Sequence, residues 1–415
     1  MPQYARRDII CSPMRFNLFR KGRERIHLDY ASATPIHASV CKVMEPFLHE
    51  HWANPSAIYR EGVAVRAYID DARIELAQLL RVRPHDITFT SGGTEANNLA
   101  LIGSVEKFAE TCAYSDIEVL STAIEHPSIL ETLEYLKKRG VVVTYVPVNS
   151  EGLIDLVQFK SLLNPRVRLC TFACVNSEVG VIQDIKKITR IIRTWNEEHD
   201  VRVYVHTDAS QAPLWLSCAL DTLGVDLMTL DAGKCYGPKG VGVLVHRHWV
   251  TLLPTTKGGG QERGLRSGTE SAMLIAGCVR ALVWAQERYE SRSFAVAKLR
   301  DYLITLLGEK IPNAILNGSV SERVANNVNI SLPGFDTEYA TLYLDAKGIA
   351  VSTKSACGGA GGDGSYVVRE MTHDEERALS TLRFTLGEEA SKSDLDEAVQ
   401  SLDEYIKLMS AGNVS

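Results

Sequence analysis

A chain of 415 residues, 45% hydrophobic and 23% charged, has the composition of a globular protein long enough for two domains with self-sufficient cores. A formal net charge of −6 argues against a general nucleic-acid or membrane-surface binder, while small anionic ligands stay open because local dipoles and Arg residues hold them whatever the total charge. Nine cysteines without a CxxC pair or a zinc-type spacing give no metal site, and there is no apolar run of the roughly 18 residues that a membrane span needs.

The cysteines read as free thiols in a reducing compartment, so a cytoplasmic protein is expected. Residues 1–25 differ from the rest. They carry Arg6, Arg7, Arg15, Arg20, Lys21, Arg23 and Arg25 against only Asp8 and Glu24. An organelle transit peptide, a poorly ordered basic arm, or a true start at Met14 would each account for this.

Next comes a helical spacing of apolar residues over Gly62–Leu80, expected to pack outside a sheet. From Ile87 onward, short apolar β-branched runs alternate with helical patterns. The predicted strands are Ile87–Thr90, Ile117–Ser121, Val141–Val146, Val167–Val175, Val201–Thr207, Asp226–Leu230 and Val241–His246. The predicted helices between them include Glu95–Phe108, Ser128–Lys138 and Ile185–Glu197. This alternation implies an α/β fold with a mostly parallel sheet covered on both faces. After the loop Lys257–Gly268 a long helical segment runs to about Tyr289. The remainder, with short strands at Asn327–Ser331, Ala350–Ser352 and Thr381–Thr385, reads as a smaller α+β domain. The division is therefore a large domain over 26–285, its first residues a candidate contribution to the smaller one, and a small domain over 286–415 that carries the Cys357 loop.

Polar residues gather where the predicted strands end, which is where ligands bind in an open α/β sheet. Ser91-Gly92-Gly93-Thr94 follows a strand and opens a helix, so free N–H groups and the helix dipole suit a phosphate; a plain N-cap turn has the same sequence. Lys234, leaving an apolar strand, is placed to be a desolvated Schiff-base amine or an ordinary strand-end lysine. Asp208 ends another strand, where a buried carboxylate needs a cation such as a pyridinium nitrogen, unless it merely caps a helix. His126, between Glu125 and Pro127, offers a flat imidazole for ring stacking and acid–base work, or is a satisfied loop histidine. Cys357 is followed by Gly358, Gly359, Gly361, Gly362 and Gly364; such glycine-rich surroundings suggest a thiol on a mobile loop rather than an inert core cysteine.

Together these residues resemble the pyridoxal-phosphate cysteine desulfurases of the NifS/IscS type, class V of the fold-type I transferases. The resemblance runs from about His27 to Asp403. It includes Leu28-Asp29-Tyr30, Asn54-Pro55-Ser56, Ser91–Asn98, Glu125-His126-Pro127, Asn176–Gly180, Asp208–Gln211, Lys234–Gly240, Gly258–Thr269, Ser355–Cys357 and Leu382–Gly387. The resemblance implies that Lys234 carries pyridoxal 5'-phosphate and moves the substrate's Cα proton. It also implies that Asp208 pairs with the pyridine nitrogen, Asn176 and Gln211 bond the phenolate oxygen, and His126 stacks on the ring. Gly93 and Thr94, with the partner subunit's Thr269, would hold the phosphate of a homodimer. Arg383 would clamp the carboxylate of L-cysteine, with Asn176 assisting, because a guanidinium fork suits it. Cys357 would take the sulfur as a persulfide, release L-alanine, and deliver sulfur to scaffold or tRNA-modifying acceptor proteins. Selenocysteine lyase, another class V aminotransferase or lyase, and a cofactor-free partner-binding scaffold are the competing functions.

The chain departs from that family's pattern near the phosphate. Asp231-Ala232-Gly233-Lys234 stands where Ser-Gly-His-Lys is usual, and Asn176-Ser177-Glu178 replaces a double Asn. Two like charges about 4 Å apart cost on the order of 4 kcal/mol at an effective dielectric near 20. The expectation is therefore that Asp231 turns away from the phosphate or pairs with Arg266 or another cation. Gly233, lacking a Cβ, would then let main-chain N–H groups approach.

Overall fold

A computed structural model describes residues 25–353 and 364–412. Residues 1–24, which hold most of the basic start and Met14, and Cys357 with its glycines up to Gly362 lie outside the described residues. In chain order the strands are β1 (Ile26–His27), β2 (Ile87–Thr90), β3 (Glu118–Ser121) and β4 (Val142–Tyr145). They are followed by β5 (Val167–Ala173), β6 (Tyr204–Asp208), β7 (Leu227–Asp231) and β8 (Gly242–His246). The last four are β9 (Ile315–Leu316), β10 (Asn327–Ser331), β11 (Ile349–Ala350) and β12 (Thr381–Thr385).

Seven strands form the central sheet in the order β2-β8-β7-β6-β5-β3-β4. Only β8 runs against its neighbours; the other six point the same way, so their carboxyl ends share one edge. Nearly every residue of β2, β5, β6, β7 and β8 is buried, which is why these strands read as continuous apolar runs rather than alternating ones. The helices Gly93–Phe108, Pro127–Lys138 and Ile185–His199 connect them. Pro127 sits at the first helical position, where its missing N–H costs nothing, and Lys137 and Lys138 lie in the last turn against the negative end of the dipole.

A second, antiparallel sheet has the order β12-β10-β9, while β1 pairs in parallel with β11. One apolar cluster runs from Phe172 and Val205 under the central sheet to Val328, Phe384 and Leu402 at the smaller one. The predicted long segment after residue 268 is two helices, Ala272–Glu287 and Tyr289–Lys310, separated at Arg288, whose backbone leaves the helical region (φ −136°, ψ 19°). Strand β6 starts at Tyr204, three residues later than its sequence suggests. Asn196 takes the backbone of Val203 with its own side chain, accepting from the N–H and donating to the carbonyl, and so removes that residue from the ladder.

Candidate active site

Asp208 ends β6 on the shared edge of the sheet and is fixed from two sides. Its Oδ1 accepts from the Ser210 N–H at 2.9 Å, and its Oδ2 accepts from Asn97 Nδ2 at 2.8 Å. The same Asn97 nitrogen donates to Ser128 Oγ at 2.8 Å. Ser128 Oγ in turn lies 2.8 Å from His126 Nδ1, and the Ser128 N–H donates to that nitrogen at 3.1 Å. His126 Nδ1 is thus an acceptor, so the neutral ring carries its proton on Nε2. Burial pushes the imidazole below the ordinary histidine range and the Lys234 charge acts in the same direction, while Asp208 and Asp231 oppose them. Among the described residues Asp208 has these two neutral donors and no cation within ion-pair distance.

Lys234 leaves β7 through the short turn Ala232–Lys234 and donates from Nζ to the Ser32 carbonyl at 2.6 Å. Gln211 Nε2 donates to the neighbouring Ala31 carbonyl at 3.0 Å. Both side chains therefore rest on one N-terminal turn, which Arg383 also holds: its Nη2 donates to Asp29 Oδ1 at 2.8 Å and Ser32 Oγ at 2.9 Å. Nη1 of Arg383 donates to the Ser177 carbonyl at 2.9 Å, and its buried Nε finds no acceptor among the described residues. Asn176 is turned largely to the backbone, donating to Ile124 O and accepting from Glu178 N–H and Val179 N–H. Gly93, Thr94, His126, Asn176, Asp208, Gln211, Lys234 and Arg383 line a single cavity of about 160 Å³. Thr269 is not among its walls; it is exposed and lines a separate hollow with Ser91 and Arg266.

The expectation for Asp231 is overturned. Its carboxylate turns toward the start of the helix Gly93–Phe108, accepting from the Gly93 N–H at 2.9 Å and, through its other oxygen, from the Gly233 N–H at 2.8 Å. Arg266 is not its partner, because Glu95 holds that guanidinium at 3.0 Å. The physical reason is what the fold brings together. Two backbone donors without other partners converge beside the last residue of β7, and a carboxylate there satisfies both without leaving its own turn. A Cβ on Gly93 would come within 3.2 Å of Asp231 Oδ2, so the bare backbone is what allows this close approach.

Cys357 lies outside the described residues, but the chain on either side of it is anchored at the cavity. Before it, Ser352 pairs with Arg383 through both backbone groups. After it, Ser365 donates from Oγ to Glu178 Oε2 at 2.5 Å and caps the helix Tyr366–Thr372. Sequence reasoning missed Asn97, Ser128, Asp29 and Ser32 as parts of the site. Asn97 and Asp29 stood inside motifs already singled out, and only the fold says what they touch. Beneath the cavity, burial pushes the Glu125 carboxyl up to about 8, with the Asp208 charge adding to it against hydrogen bonds from Thr122 and Ala173.

The profile of the Aminotransferase class-V family matches residues 26–398. The chain is 35% identical over 385 residues to "Cysteine desulfurase IscS" of Dictyoglomus turgidum, covering 93% of this chain and 95% of that one. It is 37% identical over 387 residues to the protein of the same name from Methylobacillus flagellatus, covering 92% and 93%. Among solved structures, a "NIFS-like protein" superposes with a TM-score of 0.85 at 31% identity, over 93% of this chain and 100% of that one. A structure described as "SspA in complex with cysteine" superposes at 0.72 with 30% identity, over 88% and 99%. The match spans both sheets and every strand end that lines the cavity, and the chain belongs to the class V aminotransferase family of fold-type I, pyridoxal-phosphate-dependent enzymes.

Proposed function

We propose that this chain is a pyridoxal-phosphate cysteine desulfurase that converts L-cysteine to L-alanine and leaves the sulfur on Cys357 as a persulfide. The observation that carries the reading is one cavity in which an amine, Lys234, and a carboxylate without a cationic partner, Asp208, stand beside a buried arginine that anchors the chain leading to Cys357. Asp208 suits a protonated pyridine nitrogen, and Lys234 suits an aldehyde, so the residues fit the ring end of the cofactor. When bound, the cofactor supplies an electron sink at the substrate's Cα.

The chain's own groups do the rest. Lys234, once released from Ser32 O, holds and moves the Cα proton. Asp208 would hold the ring nitrogen and keep it protonated, and neutral His126, with Nδ1 fixed by Ser128, would offer Nε2–H to the cavity that it lines. Arg383 receives the substrate carboxylate, with Nε already lacking an acceptor. Gln211 would orient the cofactor's phenolate side, and Asn176 would join it only through the second hydrogen on Nδ2, since its other groups are committed to Ile124 O and to the Glu178 and Val179 N–H groups. Cys357 lies four residues after Thr353, and a chain spans at most about 3.6 Å per residue, so its reach from that point is about 14 Å. The Cβ–Sγ bond of the substrate breaks as a bond forms between Sγ and the Cys357 sulfur. The hydrogen balance is kept within the pair, since L-cysteine and a thiol give L-alanine and a persulfide.

The same reading includes a division into 26–285 and 286–415, a homodimer, a cytoplasmic location and delivery of sulfur to acceptor proteins. The homodimer is supported by Thr269, which is exposed away from its own cavity, and by exposed Trp52, Ile58 and Val63 in one stretch of the chain. No helix among the described residues is long and apolar enough to cross a membrane. The test is to incubate the purified chain with L-cysteine and measure alanine and sulfide. The Cys357→Ala variant is expected to lose turnover, and borohydride is expected to fix a pyridoxyl group on Lys234 but not on the Lys234→Ala variant. Turnover that survives Cys357→Ala would end the desulfurase reading.

A further inference from the structure

At one end of the cavity the chain supplies its own anion. Asp231 places one carboxylate oxygen on the Gly93 N–H, at the positive end of the helix Gly93–Phe108, and the other on the Gly233 N–H. These are the donors a phosphate monoester would use at a helix start. No cation offsets the carboxylate at ion-pair distance among the described residues: Arg266 is held by Glu95, and Lys239 donates to the Thr34 carbonyl. The other end of the cavity, at Lys234 and Asp208, carries no such obstruction. A ligand that keeps the aldehyde and ring but lacks a phosphate meets no repulsion, whereas a phosphate dianion meets a like charge already seated on its donors.

We propose that Asp231 is a specificity-determining residue that fills the anion cradle with its own carboxylate, so that a phosphate-bearing cofactor must displace it from Gly93 and Gly233 before it seats. This deepens the reading of the cavity as a pyridoxal-phosphate site and rests on it. The consequence is that the chain discriminates weakly between pyridoxal phosphate and pyridoxal. The cradle's preference for phosphate returns when the charge is removed.

The experiment is calorimetric titration of the full chain, stripped of cofactor, with pyridoxal phosphate and with pyridoxal, for the native sequence and for Asp231→Asn and Asp231→Ser. Asp231→Asn keeps one carbonyl oxygen for one of the two N–H groups and loses the acceptor on the other, so the melting temperatures of both variants without ligand are read beside the titrations to separate loss of the cap from loss of the charge. Both variants are expected to raise the preference for the phosphorylated form by about ten-fold or more, with pyridoxal affinity nearly unchanged. Millimolar inorganic phosphate should raise the melting temperature of Asp231→Ser and leave that of the native chain where it is. An unchanged or reduced preference in both variants overturns the proposal, and so does a failure of all three proteins to bind either compound. Borohydride trapping separates this from the enzyme reading. A pyridoxyl group on Lys234 with no change in preference removes only the role of Asp231; a changed preference without any trapping removes only the role of Lys234.

Discussion

Asn97 joins two parts of the site through one nitrogen, which donates both to Asp208 Oδ2 and to Ser128 Oγ, while Ser128 sets the tautomer of His126. Removing the amide leaves a carboxylate oxygen and a buried hydroxyl short of a donor. Asn97→Ala is therefore expected to lower stability by about 1–3 kcal/mol. Urea denaturation checks this; a midpoint equal to that of the native chain would show that water replaces the amide without loss. Asn97 was not legible as a site residue in the sequence. It lies in a helical pattern, where a buried Asn looks like any interior position until the neighbouring strand end is placed against it.

The loop before the helix Ala272–Glu287 is tied to the helix Arg60–Leu80 by a buried fork. Arg73 Nη2 meets Glu262 Oε1 at 2.6 Å, and its Nη1 meets Oε2 at 2.9 Å and the Ile87 carbonyl at 2.7 Å. Glu262 Oε2 also accepts from the Phe89 N–H at 2.9 Å, and Glu262 itself sits in the left-handed region (φ 46°), held there by these bonds. Glu262→Ala leaves Arg73 charged and unpaired in the interior and is expected to cost about 3–5 kcal/mol, measured as a shift in urea midpoint. A shift below about 1 kcal/mol, the size of an exposed pair, would mean the fork is solvated. The elements themselves were well legible. Strands β2, β10 and β12 begin and end where their apolar patterns do. At β6 the start moved because a side chain from another element had taken the backbone groups, whereas at β3 and β4 the preceding turn's own carbonyls had taken the first N–H.

Two buried groups under the cavity give the whole molecule opposite responses to pH. Burial holds His206, between Thr171 and Thr229, down to about 4, against an unfolded value near 6.5. The unfolded chain then binds the proton first, so this contribution is lost as pH falls from about 6.5 toward 4. Glu125 has the reverse sign. With its folded value raised to about 8, the folded chain holds a proton that the unfolded chain has released above about 4.5, so stability is lost as pH rises through 8. The two slopes oppose each other between about 4.5 and 6.5, leaving a net decline from 6.5 to 8 that belongs to Glu125. Glu125→Gln should flatten that decline, read as urea midpoints at several pH values in the window. An equally steep decline in the variant would rule Glu125 out as its source.

The sequence by itself determined the kinds of elements, the mostly parallel sheet and the gathering of Lys234, Asp208 and His126 at its edge. These follow from short-range periodicity and from one rule about where parallel strands end. Only the tertiary structure decided what Asp231 faces, that Asn97 links His126 to Asp208, and that Arg383 grips Asp29 across 354 residues of chain. The direction of a side chain at a strand end depends on which unsatisfied donors other segments bring beside it. That is a property of segments distant in sequence, which no local pattern encodes.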